Sequence, residues 1–261
     1  METIGMDNEV CYELLRPAQA VARRKARPLA YLPVGIIEYH GPQNPLGLDG
    51  LGVHGICVRA ARLGGGVVFP VPWYGENRGS HLAEVNPPGR KAVTAEMGLP
   101  AENFRSGYMG GRSAAVQANF YQELLYHIYY QIRSLGFEAI YVMYGHGPLL
   151  PYVALTTEVF ERDAGVKMDF SNPMELVEGV KMDHAGRVET GMMMGVRPDL
   201  VDLSALPKGD KAQLVGIAGD DPREGSEEFA KAFVPASAEA LTKRAARLLT
   251  RPASDGALRV N

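Results

Sequence analysis

A chain of 261 residues, 46% hydrophobic and 22% charged, has the length and apolar content to bury a substantial core. Its formal net charge of −3 gives no electrostatic case for nucleic acid, and no window approaches the run of about 20 apolar residues needed to span a membrane. The N-terminus lacks a signal peptide's apolar core, and the two cysteines, Cys11 and Cys57, read as free thiols, so a cytoplasmic protein is expected.

Taken in chain order, a first helix is expected over 10–26, inside an N-terminal stretch of residues 1–29. Apolar runs at 30–37, 66–71, 139–144 and 174–180 read as buried strands, and 51–62, 111–135 and 150–164 as the helices between them. A final helix or helix pair covers 224–249, followed by a frayed tail over 251–261. Strands alternating with helices make βαβ units whose right-handed crossovers give a mainly parallel sheet, so one α/β domain over 1–261 is expected. The polar, Gly- and Pro-rich segment 77–112 resists regular assignment, and its length suits a lid or an oligomer contact.

Chemistry-bearing residues cluster at the ends of the strand-like runs. Glu38 and His40 close the first, Asp49 follows a loop rich in Gly and Pro, His146 sits between glycines after the third, and His184 and Glu189 come later. In an extended segment residues i and i+2 share a face, so Glu38 and His40 would point together and Tyr39 away. Mixed imidazole and carboxylate donors suit zinc, manganese or iron, and one Asp can bridge two ions through its two oxygens. If a helix begins near Thr190, Glu189 lies at its positive end and is held as a carboxylate there.

The run 32–42 (Leu-Pro-Val-Gly-Ile-Ile-Glu-Tyr-His-Gly-Pro) with 45–49 (Pro-Leu-Gly-Leu-Asp) resembles the signature of the creatininase (creatinine amidohydrolase) family. Gly145-His146-Gly147, His184-Ala185-Gly186 with Glu189-Thr190, and a late segment 216–222 follow in the family's order. The resemblance implies a three-layer α/β/α domain that binds two divalent metal ions (Zn, Mn or Fe), hydrolyses a C–N bond of a small amide, cyclic amide or formamide, and assembles as a homo-oligomer, commonly a hexamer. Carried over, Glu38 and His146 would ligate one metal, His40 and Glu189 the other, and Asp49 would bridge. His184 is the candidate proton donor, being the residue type whose unperturbed pKa lies nearest neutrality. The segment 73–81 resembles a family stretch ending in His, which makes Trp73, Tyr74, Arg78 and His81 candidate substrate contacts, Arg78 hinting at an anionic or carbonyl-rich ligand.

Departures from the family pattern bear on the substrate. Gln43-Asn44 stands where a second His is usual, Pro148 stands where the creatinine-hydrolysing branch has a ligating Glu, and a single tryptophan replaces the several that close that branch's site. Creatinine is therefore not the expected substrate, and the segment 84–97, which departs most, is expected to help set the real one. Two other readings remain: a non-catalytic binding or scaffold relative, and a metal-dependent lactone hydrolase. Of the remaining histidines, His54 reads as a helix-surface group and His127 as packed in the core or against a subunit.

Overall fold

The computed structural model describes residues 8–78, 82–85, 89–104, 111–210 and 214–251. Four strands, β1 (Leu29–Val34), β2 (Val67–Val68), β3 (Ala139–Tyr144) and β4 (Lys167–Ser171), pair in parallel in the order β2-β1-β3-β4. All six residues of β1 are buried, because helices cover both faces of the sheet and the strand needs no polar side. Leu29 and Tyr31 join a core with Val53 and Ile56 of α2 (Leu48–Gly64), Met192 of α6 (Arg187–Val196) and Leu241 of α7 (Glu227–Thr250). Ala30, Leu32 and Val34 join the opposite core with Leu125 of α4 (Ala114–Ser134) and Val153 of α5 (Leu150–Ala164). The result is the expected α/β/α sandwich, with β1 at its centre. No helix among the described residues is long and apolar enough to cross a membrane.

Strands β1 and β2 end at Val34 and Val68, short of the expected 37 and 71, and three further segments differ from expectation, each for a local reason. The first helix, α1, spans only Pro17–Ala26; Arg16, preceding a proline, is held extended, and Pro17 takes the first helical position where its missing N–H costs nothing. Ahead of it Val10 accepts from Val68 N at 2.8 Å, so this arm extends the sheet edge. The last strand lies earlier than 174–180, because Asn172 caps Met174 N (2.9 Å) while Glu175 accepts from Asn172 N (3.0 Å), turning Pro173–Leu176 into a 3-10 helix. Within 77–112 a short helix, α3 (Arg90–Glu96), and a 3-10 turn, Ala101–Phe104, are formed. The frayed-tail expectation for 252–261 lies outside the described residues.

β1 ends at Val34, so Glu38 and His40 lie on the following loop, and Asp49 belongs to the first turn of α2. Two glycines make this arrangement possible. A Cβ on Gly35 would lie 2.3 Å from Gly50 N, and one on Gly145 would lie 2.1 Å from Asp49 O. The backbone at Asp49 is thus wedged between the segments leaving β1 and β3, and neither neighbour has room for a side chain. Gly145→Ala is expected to destabilise by about 1–3 kcal/mol, through backbone overpacking, in chemical denaturation. Gly147→Ala, whose Cβ would meet only Met182 Cε at 3.4 Å, should stay within about 0.5 kcal/mol of wild type; equal effects would dispose of the wedge.

Candidate metal centre

The carboxyl ends of parallel strands, where α/β sheets gather their ligand sites, bring Glu38, His40, Asp49, His146, His184 and Glu189 together. The loop after β1 delivers Glu38 and His40, the first turn of α2 delivers Asp49, the turn after β3 delivers His146, and α6 with the residues before it delivers Glu189 and His184. Asp49 Oδ1 lies 3.2 Å from His40 Nε2, and Asp49 Oδ2 lies 3.3 Å from His146 Nδ1. Glu38 Oε2 is 3.0 Å from His146 Nδ1, and Glu189 Oε2 is 3.7 Å from His40 Nε2. Among the described residues three donor sets meet here, Glu38–Asp49–His146, His40–Asp49–Glu189 and Glu38–His40–His184, each with its donor atoms within 4.8 Å of one another. Asp49 is common to the first two.

The donors suit cations better than one another. Although His146 Nδ1 is close enough to pair with them, Glu38 Oε2 and Asp49 Oδ2 receive no well-directed hydrogen bond among the described residues, and His146 Nε2 has no partner there either. Buried polar atoms left this way are costly unless something else satisfies them. Oxygen and imidazole donors converging from several sides are what a divalent ion requires.

Electrostatics sorts the titratable groups. Burial opposes charge on His40, but the Asp49 carboxylate, with Glu189 and Glu38 behind it, prevails and holds the ring well above the ordinary histidine value. Burial likewise opposes charge on His146, and Asp49 and Glu38 outweigh it, pushing the ring up to about 10. Burial raises Glu189 to about 8, with His40 only partly offsetting it. Asp49 is held below the usual carboxylate range against its burial, chiefly by His40. His184 goes the other way: burial, then the charge on His40, lowers it. Without an ion, the Glu38 and Asp49 carboxylates are compensated by protons on His40 and His146, while Glu189 keeps its own proton up to about 8.

A supporting shell aims these groups. Ala83 N donates to Glu38 Oε1 and Ala185 N to Glu189 Oε2, both at 2.6 Å. His40 Nδ1 lies 3.1 Å from Glu38 O; a carbonyl only accepts, so Nδ1 carries the hydrogen and Nε2 faces the carboxylates. Asp183 accepts from Val188 N (2.7 Å) and Glu189 N (3.1 Å), fixing the first turn of α6 and with it Glu189. Gln43 Nε2 donates to Ala185 O (2.9 Å) and Asn44 Nδ2 to Thr190 Oγ1 (2.9 Å), bracing the His40 loop on the start of α6. Ala185 itself sits at φ 54°, a left-handed conformation uncommon for a residue with a Cβ, beside the donor set. Sequence reasoning noticed Gln43-Asn44 only as a departure and missed Ala83, Asp183 and Ala185, since their contacts join segments far apart in the chain.

The creatininase family model, described as creatinine amidohydrolase, matches residues 13–254. The chain belongs to the creatininase family. Among solved structures it is similar to a creatinine amidohydrolase at 19% identity and a TM-score of 0.66, covering 94% of this chain and 99% of that one. It is also similar to a creatininase variant of Zn-Zn type (18%, TM-score 0.63, 90% and 96% covered) and to a manganese creatininase (19%, TM-score 0.61, 90% and 97% covered). At this identity the likeness establishes the fold. No curated protein sequence gives a significant match.

In this creatininase-family chain Glu38, Asp49, His146, His184 and Glu189 line a cavity of about 660 Å³, with His40 buried behind them. Pro148, Met182, Leu214 and Ile217 wall it, and Gly89 and Ala92, with Ala83 just ahead of them, bring in the stretch 84–97 that departs most from the family pattern. The late motif forms one wall because Ala218 pairs with His184 in both directions, N to O at 2.8 and 3.0 Å. Trp73, Tyr74 and Arg78 are not among the lining residues. Trp73 packs where a Cβ on Gly50 would lie 2.4 Å from its ring, Tyr74 is exposed, and Arg78 pairs with Glu76 at 2.6 Å. His81 lies outside the described residues. His127 is exposed on α4 instead of packed in the core, and half-buried His54 faces Cys11.

These environments predict a divided titration in metal-stripped protein. By NMR, His146 should remain an imidazolium until pH approaches 10, because the attraction of the carboxylates exceeds the cost of burial, while His184 should lose its proton below the ordinary histidine value. Two histidines titrating together near 6.5 would contradict this charge arrangement.

Proposed function

We propose that this chain is a dinuclear metal-dependent hydrolase that cleaves the C–N bond of a small amide, cyclic amide or formamide. One observation carries the reading: the buried Asp49 carboxylate gives one oxygen to each of two donor sets. In this reading Glu38 and His146 would hold one ion, His40 and Glu189 the other, and Asp49 would bridge them. Creatininases of similar fold are described in Zn-Zn and manganese forms, and donors of this mixture accept either metal.

When bound, the pair of ions would lower the pKa of a shared water toward neutrality and polarise the scissile carbonyl. The remaining work falls to the protein. His184 Nε2 lies 3.1 Å from Tyr39 O, so its hydrogen is committed there and the free lone pair of the neutral ring is on Nδ1. In that state His184 takes a proton as the water oxygen bonds to the carbonyl carbon. It then returns the proton to the nitrogen as the C–N bond breaks, so that an amine leaves with its electron pair and a hydrogen. Its place in the cavity lining and its lowered pKa both support this role.

The lining favours an uncharged substrate with an apolar substituent. Pro148, Met182, Leu214 and Ile217 are aliphatic, and no Lys or Arg lines the cavity among the described residues, which disfavours the anionic ligand that Arg78 suggested. Trp73, the chain's one tryptophan, is not in that lining, which supports a substrate other than creatinine.

Elemental analysis should find two divalent ions per chain and neither in Asp49→Ala. His184→Ala should keep both ions and lose turnover by about 10²-fold or more, the usual cost of removing a general acid–base group. Activity retained by Asp49→Ala would end the dinuclear reading, and absence of metal after supplementation would favour a non-catalytic relative. The homo-oligomer reading finds support in Val116, Phe120 and Tyr130, which leave an apolar stripe exposed along α4. Phe120→Glu should lower the sedimentation coefficient of the assembly, and a monomeric wild type would overturn this part.

A further inference from the structure

A second cluster of metal-ligating side chains lies where the N-terminal arm crosses α2. Val10 and Cys11 are laid along β2, with Cys11 bridging Val68 in parallel register. Glu9 Oε1 accepts from both Val10 N and Cys11 N at 2.8 Å, which fixes the backbone that presents the thiol. His54 stands on α2 five residues past Asp49, about 140° further round the helix, and so faces away from the carboxylate centre. Its Nε2 lies 3.8 Å from Cys11 Sγ. A carboxylate oxygen of Glu13, from the turn after Cys11, comes within 4.8 Å of both.

We propose that Cys11, Glu13 and His54 form a further metal site that takes a zinc-like divalent ion and clips the N-terminal arm to α2. Bond lengths support the fit. A tetrahedral ion with Zn–S near 2.3 Å and Zn–N near 2.05 Å sets its sulfur and nitrogen ligands about 3.6 Å apart, against the 3.8 Å found here. Glu9 and Glu13 both place negative charge near the thiol, opposed by Arg62, so the surroundings favour a cation. Cys11 is nearly buried while Glu13 is exposed, which leaves a route for the ion and room for water as a fourth ligand. Thiolate and imidazole select zinc or cobalt over manganese, unlike the carboxylate-rich set at Asp49. This inference does not rest on the proposed hydrolase activity.

A thiol–imidazole hydrogen bond would span the same 3.8 Å without any ion, and cobalt distinguishes the two. Sulfur ligation to Co²⁺ gives near-ultraviolet charge-transfer absorption that carboxylates and imidazoles do not, and the donor sets around Asp49 contain no sulfur. Cobalt titrated into the metal-free full chain should raise such a band, saturating at one equivalent of this site. The band should vanish in Cys11→Ser and His54→Ala, and persist in Asp49→Ala. Glu13→Ala, a change at an exposed position that leaves the core intact, should weaken cobalt binding at this band about tenfold or more. No band in wild type at saturating cobalt, a band unchanged in Cys11→Ser, or unchanged affinity in Glu13→Ala would overturn the site.

Discussion

The backbone of Asp49 and Gly50 is lodged between the chain segments that leave β1 and β3, and the rest of the centre depends on that close approach. Gly35 and Gly145 lack the Cβ atoms that would fill the gap. Their absence lets α2 start deep in the fold, with its first turn aimed at the strand ends. A carboxylate there is favoured by the unpaired N–H groups of the helix start. Asp49 can then face a histidine from each neighbouring segment, 3.2 and 3.3 Å away. A residue on a mobile loop would have to order itself before it could do the same.

Burying Glu38, Asp49 and Glu189 together creates a charge problem that the fold answers in a way suited to chemistry. Isolated carboxylates in such surroundings are costly, and the compensating charge comes either from protons on His40 and His146 or from cations in their place. Protons and metals therefore compete for the same donors. His184 stands apart although its ring centroid is only 4.5 Å from that of His40. Burial and the neighbouring charge keep it neutral, and the Tyr39 carbonyl fixes its hydrogen on Nε2. Two adjacent imidazoles thus acquire different properties from their partners alone.

The shell around the donors comes from parts of the chain with little regular structure of their own. Ala83 holds Glu38, the start of α6 is fixed by Asp183, and the segment carrying Ala218 pairs with His184. Such positions decide the orientation of a metal ligand as strongly as the ligand's own backbone does. They also build the apolar walls, so the same loops that aim the buried donors shape what can approach them. The thiol–imidazole cluster at Cys11 follows a different logic: softer donors, at the sheet edge, tying an extended arm to a helix.

How much of this was legible in the chain varies with the range of the interaction involved. Continuous apolar runs gave away β1 and β3, because a strand covered on both faces has no polar alternation to hide it. The order of Glu38, His40, Asp49, His146, His184 and Glu189 suggested a metal centre before any geometry was known. The strand at 167–171 was missed because it is only partly buried, and its end is set by a cap between Asn172 and Glu175 that apolar periodicity does not register. That His127 lies outside the core of its own chain was not legible, because an aromatic helix packs only one of its faces there and its residue type does not say which. The sequence by itself determined the fold class and the types of donor available. Tertiary structure alone decided that Asp49 stands between two donor sets, that His184 stays neutral beside a charged His40, and that Trp73 and Arg78 lie off the cavity. Each of these depends on distances and burial between segments far apart in the chain, and local sequence does not encode them.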